Sequence, residues 1–349
     1  MRGRLGIRGA LVAQAETHAG SLGDVRRVVG RIVVVMLVVE TAVAVVLTAR
    51  FRAGYDLGWP TALWHGVFHA GSAFNNAGFA LWTDNLIPFV ADGWIILPLV
   101  VAVVLGGLGL PVLRELRRGW RRPSRWSVHT RLTVNGSLVL LVLGTALFWL
   151  FESAAGGTLA QLGPGGQALG ALAGGAFPRT AGFNSVDYAL VSDETETVTT
   201  VLMFIGGGSA GTAGGIKVTT FLVLAYVVLA EIRGEPDVAI GRRRISTSVQ
   251  RQALAVVVLA LTLVTTSLVA VMALTDLPAI DLTFEVVSAF ATVGLSTGIT
   301  ADLPASAQLI LMVLMFVGRV GSITVASAAL ALNTHHRHYR LPEERPIVG

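Results

Sequence analysis

Phe177-Pro178-Arg179-Thr180-Ala181-Gly182-Phe183-Asn184 follows a short apolar segment, residues 166–177, and precedes an acidic stretch with Asp187, Asp193, Glu194 and Glu196. The apolar segment falls short of the roughly 20 residues a helix needs to cross a bilayer. A half-helix that enters the membrane and returns as extended chain fits this length. Such a return survives at membrane depth only where it is buried in protein or lines a water-filled cavity.

A similar signature stands on either side. Upstream the chain reads Ser72-Ala73-Phe74-Asn75-Asn76-Ala77-Gly78-Phe79, and downstream Ser288-Ala289-Phe290-Ala291-Thr292-Val293-Gly294-Leu295. Each closes its own sub-spanning segment, near 61–74 and 281–291. Six longer apolar runs flank them, at about 29–49, 94–113, 132–151, 198–230, 253–274 and 307–332. The order is helix, half-helix, return, helix, three times over. The expected fold class is an all-α integral membrane protein, with three units arranged pseudo-symmetrically about an axis along the membrane normal. Units are expected at 29–113, 132–230 and 253–333. Basic loops at 114–131 and 231–252 separate them, with terminal segments at 1–28 and 334–349.

Composition agrees. Hydrophobic residues make up 53% and charged residues 13%, against about 25% charged in soluble domains, so lipid is the expected solvent. The absence of cysteine excludes disulfides and thiolate metal sites. The net charge of +5 suggests nucleic acid until its placement is read. Arg114, Arg117, Arg118, Arg121, Arg122 and Arg125 join the first unit to the second; Arg233, Arg242, Arg243, Arg244 and Arg251 join the second to the third. By the positive-inside rule these loops and both termini are cytoplasmic, in a plasma membrane. Residues 1–30 lack the apolar run of a cleavable signal peptide. The opposite loops carry Asp84, Asp92, Glu152, Asp276, Asp281 and Asp302, with Arg50 and Arg52 as exceptions. The returns therefore dip in from outside, beneath an acidic vestibule that concentrates cations. Simple exclusion of arginine from translocated loops gives the same pattern.

A dehydrated monovalent cation is held by backbone carbonyls that replace its water. Glycine supplies the positive φ that such a return needs, and each half-helix aims the negative end of its dipole at the ion. The expected ion-binding residues are Asn76, Ala77 and Gly78; Thr180, Ala181 and Gly182; and Thr292, Val293 and Gly294. The fourth run holds Gly206-Gly207-Gly208-Ser209-Ala210-Gly211-Thr212-Ala213-Gly214-Gly215. Each interior glycine costs a helix about 1 kcal/mol relative to alanine, so this run is expected to break into two half-helices joined by an intramembrane loop, a gate. A helix-packing glycine face is the plainer alternative. A phosphate-binding loop is excluded by the lack of a Gly-Lys-Ser/Thr ending. Lys217 and Arg319 lie in or near spanning runs, where charge is costly and functional. Lys217 alternatively snorkels to the interface, Arg319 alternatively pairs with a buried carboxylate such as Glu40, and Arg179 braces its return. His335, His336 and His338 lie on a short tail without the fixed geometry of a metal site. Nothing marks an enzyme.

These motifs resemble the Trk/Ktr/HKT superfamily of potassium transporters, at residues 72–79, 178–184, 206–217, 289–298 and 318–324. The resemblance implies a pore-forming membrane subunit for potassium uptake. Gly78, Gly182 and Gly294 are then filter glycines, the loop is a gate, and Arg319 is the positive residue beside it. It further implies potassium as substrate without a cofactor, a homodimer in membrane lipid, and a cytosolic nucleotide-binding regulatory subunit. The superfamily has four units around one pore and this sequence shows three, with 1–28 resembling the link from a first unit. An accessory or truncated subunit that does not conduct and a sodium-permeable member are the alternatives.

Overall fold

The structure, a computed structural model, describes residues 22–321 apart from Arg242. Residues 1–21 and the chain after 321, with the three tail histidines and the end of the sixth run, lie outside the described residues. The first unit comprises α1 (Leu22–Gly54), α2 (Trp59–Phe74) and α3 (Gly93–Leu108), continued by α4 (Leu110–Gly119). The second comprises α5 (Val128–Glu152), α6 (Pro164–Ala176), α7 (Asp193–Phe204) and α8 (Val218–Ile232). The third comprises α9 (Thr247–Met272), α10 (Ala279–Ala291) and α11 (Ala305–Val320).

The half-helices are α2, α6 and α10. Proline stands in the first turn of α2 and of α6 and at the N-cap of α10, where its fixed φ suits a helix start and its missing N–H costs nothing. Polar side chains cap other starts: Asp92 accepts from the Trp94 N–H at 3.0 Å and Ser127 from the Thr130 N–H at 3.2 Å. Among the described residues, three helices are singly long and apolar enough to cross a bilayer, within α1, α5 and α9. The run expected at 94–113 differs from a straight span. It bends by 103° between α3 and α4, at Gly109 with φ +83°, so the arginine-bearing α4 turns away where a loop was expected. The fourth run is broken into α7 and α8, and α11 is described only as far as Val320. The second basic loop adds one feature without a sequence signal, a two-residue ladder pairing Ala239 with Arg244 and Ile240 with Arg243.

Two apolar cores enclose the returns. One joins Phe51, Ala73, Phe74 and Leu99 of the first unit to Ala173, Phe177 and Phe183 of the second. The other joins Tyr188 and Met203 to Phe284, Val286, Phe290 and Leu311 of the third. Glycines permit the close approaches: a β-carbon on Gly66 of α2 would lie 2.2 Å from the Thr48 hydroxyl of α1, and one on Gly318 of α11 would lie 1.8 Å from the Phe290 carbonyl oxygen. The outer faces of the spanning helices remain apolar and exposed, with Val34, Val38, Leu138, Val139 and Val258 each more than half accessible. In water such a surface is a liability; in a bilayer it is solvated.

Candidate functional site

The three returns have one backbone design. Positive φ occurs at the glycine of each return and two residues before it: Asn76 and Gly78 (+51°, +70°), Thr180 and Gly182 (+82°, +76°), Thr292 and Gly294 (+53°, +91°). In the first and third, the Ala77 N–H reaches the Ser72 carbonyl at 2.8 Å and the Val293 N–H reaches the Ser288 carbonyl at 2.9 Å. The same serines brace the return from behind. Ser72 Oγ donates to the Phe79 carbonyl at 2.8 Å and Ser288 Oγ to the Leu295 carbonyl at 2.6 Å. The second return has Ala176 at the matching position and is held instead by Arg179, whose Nη1 donates to the Ser137 carbonyl at 2.9 Å and Nη2 to Ser137 Oγ at 3.1 Å.

The returns lie side by side. A β-carbon on Gly78 would stand 2.3 Å from the Ala181 carbonyl oxygen, and one on Gly182 would stand 1.8 Å from that of Val293. Gly294 has nothing within 4 Å in that direction, so the described ring is open between the third and first returns. Among the nine ion-binding residues expected from sequence, only the Gly78 carbonyl accepts a hydrogen bond from the described residues, from Asn85 Nδ2 at 3.3 Å. Irregular backbone that is buried at most of these positions yet rich in unpaired carbonyls contradicts the usual accounting for buried peptide groups, unless something else is the partner.

The glycine-rich loop runs between α7 and α8. It is pinched at its root, where the Gly206 N–H donates to the Ile216 carbonyl at 2.8 Å and the Val218 N–H to the Gly207 carbonyl at 3.0 Å. Beyond the root it packs on the end of α3: the Gly208 N–H donates to the Gly107 carbonyl at 2.8 Å and the Thr212 N–H to the Gly106 carbonyl at 3.2 Å. A β-carbon on Gly211 would lie 2.6 Å from the Gly107 oxygen, so glycine is what lets the two backbones meet. Thr212 is the hub. Its hydroxyl donates to the Phe74 carbonyl at 3.0 Å and accepts from Asn76 Nδ2 at 2.9 Å, while its carbonyl accepts from Arg319 Nη1 at 2.8 Å. Ser209 Oγ lies 2.9 Å from Thr219 Oγ1. Lys217 caps α8 and turns its ammonium back onto the Ala213 carbonyl. Arg319 does not take Glu40, whose carboxylate accepts from Asn75 Nδ2 at 2.9 Å.

The TrkH family, described as a cation transport protein, matches residues 2–335. The chain belongs to this family. Among curated relatives, the Ktr system potassium uptake protein B of Bacillus subtilis is 35% identical over 99% of this chain and 77% of that protein. Its namesake in Vibrio alginolyticus is 37% identical over 93% of this chain and 71% of that protein. The potassium/sodium uptake protein NtpJ of Enterococcus hirae is 35% identical over 91% and 70%. The crystal structure of the potassium transporter TrkH from Vibrio parahaemolyticus shares the fold, with a TM-score of 0.72 at 18% identity over 93% of this chain and 68% of that one.

Around this TrkH-family core, the sequence exceptions on the acidic side are accounted for. Arg50 Nε donates to Asp92 at 2.7 Å, and Arg52 lies 3.9 Å from Asp56. Tyr55 also donates to Asp92 at 2.9 Å, its hydroxyl pushed up to about 12 by burial and by that carboxylate. Buried Glu152 joins α5 to α7, accepting from Thr158 N–H at 2.8 Å and from Ser192 N–H at 3.0 Å. At the other face, Glu115 of α4 accepts from the Ser127 N–H at 2.6 Å, from Ser127 Oγ at 2.7 Å and from Thr130 Oγ1. Burial raises its carboxyl, but the bonds from Thr130 and Ser127 outweigh burial and hold it below its ordinary value. Sequence reading passes over His69 and the two serines. His69 is fully buried, with Nδ1 2.7 Å from the His65 carbonyl and Nε2 accepting from the Leu81 N–H at 3.3 Å, so it ties α2 to the first return. The available signal is the repetition of Ser-Ala-Phe at 72–74 and 288–290.

Proposed function

We propose that this chain lines a pathway for a monovalent cation, potassium foremost. The unpaired carbonyls of three adjoining returns, set over a glycine-rich loop, carry that reading. An ion entering from the acidic side exchanges water for these carbonyls, aided by the negative ends of the half-helices. The loop and Arg319 close the path below: Arg319 holds the Thr212 carbonyl and adds a positive charge that raises the barrier to cations. Conduction then requires the loop to leave the end of α3. The names of the Bacillus and Vibrio relatives support potassium uptake, and that of the Enterococcus relative keeps sodium within the substrate class. No covalent step and no cofactor enter this account.

The opening beside Gly294 favours a fourth wall, and we infer that another helix–return unit of the same pattern supplies it. Without that wall the second reading applies, a subunit that does not conduct alone. The basic face, with α4, Arg121, Arg122 and Arg125, sits on the cytoplasmic side of the plasma membrane together with both termini. None of its arginines pairs with a carboxylate among the described residues. It suits anionic lipid and the docking of a cytosolic nucleotide-binding subunit on a homodimer. Purified protein, reconstituted together with a unit that closes the open side into liposomes loaded with potassium, tests the pathway. Rubidium-86 accumulation that exceeds sodium-22 accumulation and disappears in Gly294→Asp is expected; equal uptake in the variant would refute the filter.

A further inference from the structure

α4 leaves α3 at 103°. With α3 across the bilayer, α4 therefore runs along its surface, the cytoplasmic one in the orientation proposed above. Its residues divide into two stripes. Leu113, Leu116 and Trp120 recur at helical spacing, and so do Arg114, Arg117, Arg118 and Arg121, the pattern of a helix that lies in a membrane interface. Trp120 is 64% exposed, as suits a tryptophan anchored among headgroups. The chain then folds back through a 3-10 turn, Pro123–Arg125. The Arg122 N–H donates to the Gly119 carbonyl at 2.9 Å, Trp126 Nε1 to the same carbonyl at 3.0 Å, and Arg131 Nη2 to the Ser124 carbonyl at 2.6 Å. The result is a cavity of about 500 Å³ lined by Arg117, Arg118, Arg121, Arg122 and Arg125, with Trp120 and Trp126 in its wall.

Nothing among the described residues balances this charge. None of the lining arginines pairs with a carboxylate. Glu115, the one carboxylate in the wall, is already engaged, since both its oxygens accept from Ser127 or Thr130. Five guanidinium groups around one cavity repel one another, and each offers the paired N–H donors that match a phosphate. Position decides where that phosphate comes from, because the cavity opens beside an interfacial helix and an exposed tryptophan. We propose that it holds the headgroup of an anionic phospholipid of the inner leaflet, the arginines on its phosphate and Trp120 beside it. This deepens, and rests on, the reading of the basic face given above. The site also bears on the loop. α4 starts at the Gly109 bend, where a β-carbon would lie 2.8 Å from the Ser209 carbonyl oxygen, and the neighbouring Gly107 carbonyl accepts from the Gly208 N–H. A lipid that anchors α4 holds the end of α3 on which the glycine-rich loop is docked, and so favours the docked form.

Native mass spectrometry of the purified full chain, titrated with phosphatidylglycerol, phosphatidylcholine or inorganic phosphate, reads the binding. The wild type is compared with two triple variants. Arg117→Gln/Arg121→Gln/Arg122→Gln empties the cavity of charge, and Arg233→Gln/Arg243→Gln/Arg251→Gln removes the same charge from the other basic loop. The wild type is expected to prefer phosphatidylglycerol. Its half-saturation should rise by about tenfold or more in the first triple and stay at the wild-type value in the second. An equal rise in both triples makes the attraction a matter of net charge and overturns the site. Inorganic phosphate bound as tightly as the lipid makes it a free-anion site and overturns the lipid. Undiminished lipid binding in the first triple, with docking of a cytosolic nucleotide-binding subunit lost, gives the cavity to a protein and also overturns it. Coupling to the loop is read separately, as rubidium uptake into phosphatidylglycerol liposomes with a complementary unit supplied. There the first triple should exceed the second by about fivefold. Equal uptake overturns the coupling, and no uptake in any of the three refutes the pathway, while the lipid site stands or falls on the titration alone.

Discussion

Gly182 is the residue on which adjacent returns are spaced. Its φ is +76°, and a β-carbon there would stand only 1.8 Å from the Val293 oxygen. Alanine must therefore both strain its own backbone and push the third return away. Strain of this kind is worth roughly 1–3 kcal/mol, so Gly182→Ala is expected to lower rubidium uptake by about tenfold or more, read as tracer flux at equal protein in the membrane. Ser288 acts more gently. Ser288→Ala removes the donor to the Leu295 carbonyl, a bond of about 1 kcal/mol. The expected result is about a fivefold loss of rubidium-over-sodium discrimination, and Ser288→Thr restores it. At this scale the glycines are legible in the sequence because their type alone signals the conformation. Positive φ at Thr180 and Thr292 is not, because nothing in a threonine announces a backbone it disfavours. The braces at Ser72 and Ser288 depend on a carbonyl seven residues away, a relation that only the folded return creates.

The broken fourth span is the element we propose as the gate. Its break is readable from glycine content, whereas its docking partners are not, since Gly106, Gly107 and Phe74 lie about 100 residues or more away along the chain and are brought to the loop only by the fold. Arg319→Gln removes the charge and weakens the bond to the Thr212 carbonyl. Hydrogen bonds to charged groups are worth about 1.5–3 kcal/mol, so uptake without any regulatory subunit is expected to rise, by about tenfold; unchanged uptake would detach Arg319 from the gate. The bend between α3 and α4 has its own signal in Gly106-Gly107-Leu108-Gly109-Leu110-Pro111, three glycines and a proline that punctuate a helix, and a reading that follows only the apolar run 94–113 passes over it. Once bent, α4 is fixed to α5 by Glu115. A carboxyl whose folded-state value is lowered contributes stability that is complete above its unfolded-state value and is lost as pH falls through the lowered one. Acidification below the ordinary value of 4.5 should therefore loosen α4, detectable as a change in fluorescence of Trp126, whose Nε1 donates to the Gly119 carbonyl at 3.0 Å. Glu115→Gln should remove the pH dependence.

At the scale of the molecule, three units are countable from the repeated signatures alone. Their order around the axis is not, because neighbours are set by backbone contacts between returns: Gly78 against Ala181, Gly182 against Val293, and an open side at Gly294. The TrkH-family fold accounts for this arrangement, and the apolar exterior for its solvent. The central claim is that these returns conduct. Rubidium uptake tests it most directly, in cells lacking their own potassium uptake systems and expressing this chain beside the Gly294→Asp variant, with both confirmed in the membrane. The account predicts uptake in the first and none in the second, with the chain assembled beside whatever closes its open side. Equal uptake in the two, or none in either when a complementary unit is supplied, would contradict it.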